Sequence, residues 1–179
     1  MKNLSKYIHN LSFEYAISYS GLRGEKFRKL EDVSNTRIER IKEDNKVSNS
    51  KQKLKLSKEI KELEDELNIY NARVITKVNK VHKSTIQVRR FKKEDKELVE
   101  IFNILNSKFE EQYVWMCAPI YRDAIVFYSQ EDKMVGILQI CFSCNWIKNE
   151  SEEDLEVDNK IFQKLKEKLI QIGHQIESE

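Results

Sequence analysis

The chain is predicted to be an α+β protein. Residues 1–83 read as a long-helix hairpin or coiled-coil region, and residues 84–179 as a small antiparallel-sheet α+β domain. Three observations predict this. Glycine and proline are scarce, four and one in 179 residues, and neither falls between Gly24 and Pro119, so the main interrupters of helices are missing there. An apolar repeat of helical period runs through the first half, while alternating apolar segments bounded by polar turns occupy the second. Charge divides at the same place. Residues 1–83 carry 19 Lys+Arg against 12 Asp+Glu, a net of +7, and residues 84–179 carry 13 against 18, a net of −5. The overall +2 is a cancellation.

Leu4, Ile8, Leu11, Tyr15 and Tyr19 mark a first helical stripe ending near Ser20 and Gly21, with Phe13 and Ile17 on another face. A second stripe is formed by Phe27, Leu30, Val33, Ile38 and Ile41. Residues 43–50 then break the pattern with Asp, Asn and Ser, which compete for backbone hydrogen bonds and favour turns and caps. They predict the tip of an antiparallel helical hairpin, with Ser50 capping the next helix. One continuous helix is the alternative. Beyond the tip, Leu56, Ile60, Leu63, Leu67, Tyr70, Val74, Val78 and Val81 recur every three or four residues. That near-heptad seam predicts a helix over residues 52–82 with one face for a partner helix. Lys58 and Glu62 support it across one turn.

Past Lys83 the period changes. Residues 86–91 alternate as a strand. Leu98, Ile101, Phe102, Leu105 and Phe109 fit an amphipathic helix. Residues 113–117 predict a short strand. Residues 122–128 and 134–142 predict two strong ones, joined by the polar turn 129–133 into an antiparallel hairpin. Leu155, Ile161, Leu165, Leu169, Ile172 and Ile176 mark a C-terminal helix, preceded by Glu152, Glu153 and Asp154 where the helix dipole favours acid.

All three cysteines fall in the strand-rich part. Hairpin geometry, counted with a two- or three-residue turn, sets Cys117 within one position of the partner of Cys144, so Cys117, Cys141 and Cys144 gather at one end. Free buried thiols are the plainest expectation, because unpaired cysteine behaves as a small hydrophobe. The Cys141–Cys144 spacing also suits a zinc site, but such a site needs four ligands and only three are counted. His82, His174 or Asp123 could supply the fourth without the spacing selecting one. A dithiol redox pair is the third reading, weakened because no helix begins at Asn145 to lower a thiol pKa.

Other classes are set aside on composition and spacing. No glycine-rich loop follows a strand, which excludes the phosphate-cradling folds. His9, His82 and His174 are scattered and are read as exposed or capping, without a serine partner. Asp123 beside Arg122 is read as a hairpin ion pair. Lys51, Lys53, Lys55, Lys58, Lys61, Arg89 and Arg90 are candidate nucleic-acid contacts, although acidic residues interrupt the run and a mixed-charge solvated face is the commoner outcome. No apolar segment is long enough for a signal peptide or a membrane helix. An odd cysteine count argues against a disulfide framework, so reduced thiols and a cytoplasmic location are expected.

The function expected from these features is a non-enzymatic interaction protein. Its long amphipathic helices would pair with a second copy or a partner protein, and its α+β part would serve as a recognition head. A nucleic-acid-associated factor and a thiol or zinc sensor are the alternatives. No cofactor is required, and zinc is the metal the spacing admits.

Overall fold

A computed structural model describes residues 2–47, 49–67, 74, 81, 82, 84–107, 110 and 116–176. The fold is α+β, as the sequence predicts, with a five-stranded antiparallel sheet and a long helical hairpin. The elements are β1 (Lys2–Asn3), α1 (Leu4–His9), β2 (Tyr15–Gly21), α2 (Gly24–Val47), α3 (Ser50–Leu67), β3 (Thr85–Lys92), α4 (Lys96–Leu105), β4 (Asp123–Tyr128), β5 (Met134–Cys141), β6 (Trp146–Lys148), β7 (Leu155–Glu156) and α5 (Lys160–Gln171). The sheet order is β3-β2-β4-β5-β6, and β1 pairs in parallel with β7.

The largest departure from expectation is β2. Residues 15–21 form no helix: Tyr15 to Gly21 is a strand, paired with β3 on one side and β4 on the other. Tyr15 and Tyr19 satisfy a helical stripe and a period of two equally well. The burial available in the sheet decides between them, with Ala16, Ser18 and Ser20 facing one layer and Ile17 and Tyr19 the other. Only Leu4–His9 remains helical. The sheet is therefore shared between the two halves of the sequence, and α2 and α3 are inserted between two adjacent strands.

One sheet face carries Ala16, Phe91, Ile125, Phe127, Leu138 and Ile140, buried beneath α1, α4 and α5. These helices contribute Leu4, Ile8, Leu98, Ile101, Leu105, Ile161, Phe162, Leu165 and Leu169. The other face presents Ile17, Tyr19, Ala124, Val126 and Ile137, covered by Val74. Alternation along β4 thus feeds two layers at once, as expected of a central strand.

The helical hairpin forms where residues 43–50 predict it. Its cap is Asn49 and not Ser50: the Asn49 side-chain oxygen accepts from the Gln52 amide at 3.1 Å while the Gln52 side chain accepts from the Asn49 amide at 3.2 Å. This reciprocal pair satisfies two amides at a helix start. Ile38 and Ile41 of α2 bury against Leu63 of α3, with Leu56 and Ile60 alongside. Arg37 and Glu59 form an ion pair between the helices.

The predicted helix over residues 52–82 is shorter than expected. Among the described residues it covers Ser50–Leu67, while Val74 sits at a bend, 1% exposed, against the sheet, and Val81 and His82 are not helical. The His82 amide donates to the Val74 carbonyl at 2.9 Å. Residues 68–73 and 75–80 lie outside the described residues, and a sheet face offers Val74 more burial than a lone helix would.

The remaining corrections are local. The β4–β5 register shifts between Phe127 and Tyr128, so Asp123 lies opposite Ile140, one position beyond the longer turn count. A second hairpin follows, with β6 pairing Trp146 to Cys141. Leu155 belongs to β7 and not to the C-terminal helix, which starts at Lys160. The acidic Glu153 pairs with Lys2 at 2.6 Å and does not line the helix start. Residues 116–122 have no regular structure, and Tyr113 to Trp115 lie outside the described residues. Among the described residues, no helix is long and apolar enough to cross a membrane.

Candidate functional site

The most concentrated chemistry lies where β2, β4, the start of α2 and the end of α5 meet. Asp123 opens β4 and is 1% exposed. Its Oδ1 accepts from Ser20 Oγ at 2.9 Å and from His174 Nδ1 at 2.8 Å, and its Oδ2 accepts from Arg23 Nη2 at 2.6 Å. Arg23 also donates through Nη1 to Ser20 Oγ at 2.9 Å and to the Gly21 carbonyl at 3.1 Å. A buried carboxylate is costly unless paired and hydrogen-bonded, and here three side chains meet that need. Burial pushes the Asp123 carboxyl upward, but the hydrogen bond from His174 and the charge of Arg23 outweigh it. The net shift is below the ordinary carboxylate range.

Local sequence places each partner. Ser20 and Asp123 face each other across the β2–β4 ladder. Arg23 follows two residues after the strand ends, just before α2 begins. His174 is delivered by Gly173, whose φ of +108° lies where side-chained residues are strained. There the chain reverses, with the His174 amide donating to the Leu169 carbonyl at 3.0 Å and the Gly173 amide to the Ile170 carbonyl at 2.9 Å. His174 is therefore buried, contrary to the expectation of an exposed or capping residue. Asp123 likewise pairs with Arg23 and not with its neighbour Arg122.

The cluster is not a nucleophile relay. In that arrangement histidine bridges serine and aspartate. Here Ser20 donates directly to Asp123, and His174 Nε2 is buried without a hydrogen-bond partner. What the group does is tie the root of the helical hairpin to the end of α5 through one buried charge.

Beside this cluster lies a cavity of about 130 Å³, bounded by Arg23, Arg122, Asp123, Ser143 and Lys166 together with apolar side chains. Close by, at the end of β5, the three cysteines do gather. Cys117 and Cys144 form a disulfide with Cα atoms 5.9 Å apart, and Cys141 is free and buried. Hairpin counting brings the right pair together, but the expectation of three reduced thiols is corrected. Residues 142–145 form the turn between β5 and β6, with Asn145 at φ +53°. This bend turns Cys144 toward Cys117. Tyr121, Cys141, Cys144 and Trp146 pack as one small cluster, and Cys141 Sγ lies 3.3 Å from Ser143 Oγ.

Two of the three sulfurs are consequently occupied by each other. Among the described residues, no group of three or more His, Cys, Asp and Glu side chains is arranged to hold a metal ion. His82, one of the fourth ligands considered, instead meets Ser84 Oγ through Nδ1 at 2.6 Å.

The interaction seam is only partly realised. Leu56, Ile60 and Leu63 face α2 within the hairpin. Leu67 ends α3, Val74 joins the sheet, and Val81 is exposed. Tyr70 and Val78 lie outside the described residues. Lys51, Lys53, Lys55, Lys58 and Lys61 are exposed on α3, where Lys51, Lys55 and Lys58 share one side and Lys53 lies opposite. Arg89 is held by Glu97 at 3.3 Å and Arg90 stacks over the Tyr15 ring at 3.8 Å, so both already have partners in the fold.

The Asp123 cluster was beyond sequence reasoning because its members are dispersed. The only local signals were Asp at a strand start and Gly173 after a helix. Compared with protein-family models, curated proteins and solved structures, the chain matches none.

Proposed function

We propose that this chain is an interaction protein in which the α2–α3 arm associates with a second copy or with a partner helix, and the sheet domain serves as the head. One observation carries the reading. The arm spends its seam internally, yet keeps Val33 and Leu54 exposed at 69% and 62% on its outer surface. At 1.5 Å per residue the 24 residues of α2 reach roughly 36 Å, far more than a sheet connection needs. β2 and β3 are adjacent antiparallel strands, which two-residue turns commonly join. An arm of this size inserted there adds surface and little core.

Light scattering on the full chain tests this directly. The expected result is a mass above one chain at tens of micromolar, falling to one chain in Val33→Glu with Leu54→Glu. A single-chain mass at every concentration, with neither substitution affecting capture of a binding protein, would remove the reading.

A thiol-responsive head is a second reading, favoured by the Cys117–Cys144 bond with a third thiol in the same cluster. Reduction would release the segment before β4 from the β5–β6 turn. Limited proteolysis with and without a dithiol reductant checks it: cleavage within residues 116–122 should rise on reduction. An unchanged pattern would count against it.

A further inference from the structure

We propose that the cavity beside Asp123 binds a small organic carboxylate with a short aliphatic body. Three observations converge on this. First, the charge of the wall is unbalanced. Arg23, Arg122 and Lys166 border the cavity with one carboxylate, Asp123, already committed to Arg23 and His174. Neither Arg122 nor Lys166 has an ion-pair partner among the described residues. Among the described residues that line the cavity, this leaves an excess of two cations. Cations brought together without a counterion repel each other, so an anion placed between them lowers the energy of the wall.

Second, the wall is mixed. Ser143 offers a hydroxyl, while Ile120, Ile140 and Phe142 present hydrocarbon. A free phosphate keeps its hydration shell and gains nothing from such sides. A carboxylate bearing a few methylenes gains at both ends, its head on the fork of Arg122 and its tail on the apolar wall. Third, the size is suitable. About 130 Å³ exceeds severalfold the ~10–15 Å³ that one water requires, and is too small for a nucleotide or a peptide segment.

Part of the wall is held by regular structure and by a hydrogen-bonded side chain. Ile140 lies within β5, Lys166 lies within α5, and Arg23 is clamped by Asp123, Ser20 and the Gly21 carbonyl. The site therefore does not depend on the arm's association, and its failure would leave the proposed function untouched.

Calorimetric or NMR titration of the full chain with sodium acetate, butyrate, hexanoate and inorganic phosphate, at fixed ionic strength, tests the assignment. Saturable binding should tighten by roughly three- to fourfold per added methylene until the cavity fills. Arg122→Gln and Lys166→Gln, both at partly exposed positions that leave the core intact, should each weaken butyrate binding tenfold or more. No saturable binding by any carboxylate would overturn the proposal, as would equal binding in both variants. Phosphate binding more tightly than butyrate would overturn it too, because the site would then read charge alone.

Discussion

His174 Nδ1 lies 2.8 Å from Asp123 Oδ1 across 51 residues of sequence, and both side chains are buried. This contact, with Arg23 on the other carboxylate oxygen, joins β4, the tail of α5 and the root of the helical arm at a single charge. Buried ion pairs are seldom large net stabilisers. Removing one partner is another matter, since it strands the other.

Asp123→Asn should therefore destabilise the protein by about 3–5 kcal/mol, because Arg23 would lose its buried counter-charge and His174 a carboxylate acceptor. Urea unfolding followed by circular dichroism measures it. A change under about 0.5 kcal/mol, the range of ordinary surface substitutions, would contradict the structure's account of the cluster.

The same site sets an acid limit. The folded carboxyl of Asp123 lies below its ordinary value, which is about 3.9 in an unfolded chain. Its contribution is thus present above pH ~4 and disappears as pH falls toward the folded value. Glu100, bonded by Lys168, and Glu153, bonded by Asn149 and Lys2, are also held low, so the wild-type profile alone is ambiguous. The gap in stability between wild type and Asp123→Asn should be wide at pH 7 and narrow below pH ~4. A pH-independent gap would refute the assignment.

The disulfide should be worth about 3.5 kcal/mol on a chain-entropy estimate for its 27-residue separation. Denatured, unreduced protein should show one titratable thiol, Cys141, and three after reduction. Cys117→Ser should lower the urea midpoint and abolish its response to reductant. Three thiols in unreduced protein would show that the bond does not form.

Within the arm, Leu63→Ala should cost about 2–4 kcal/mol locally, since Leu63 packs against Ile38 and Ile41 in a core of few residues. Hydrogen exchange should quicken across α2 and α3 and stay slow in β2, β4 and β5, because local openings follow cooperative units. Uniform acceleration through the sheet would mean that arm and head unfold together.

Gly136→Ala probes how closely the N-terminal segment approaches β5. A methyl group there would stand 2.5 Å from Leu11 Cδ2 and 2.8 Å from Tyr7 Oη, and that phenol bonds both the amide and the carbonyl of Ile137 at 3.1 and 3.3 Å. Overpacking of this kind typically costs about 1–3 kcal/mol. Thermal unfolding at or above the wild-type midpoint would show that the contact yields without strain.

Much of the architecture was legible locally. β3, α4, β4, β5 and the helical hairpin could be read because each has a strong period of its own, and turn chemistry alone located the hairpin tip and the 129–133 turn. The convergence of Cys117 with Cys144 followed from counting across one hairpin. Their oxidation state did not, because it depends on the bend at Asn145 and on the chain before β4.

By itself, then, the sequence determined the α+β class, the helical arm and the meeting of two cysteines. All three rest on contacts between near neighbours or across one turn. Only the tertiary structure decided that Tyr15–Gly21 is a central strand, that Val74 belongs to the sheet, and that Ser20, Arg23, Asp123 and His174 share one buried charge. In the first two cases the local pattern fits two conformations and burial against distant residues selects one, and in the third the partners lie 51 to 103 residues apart.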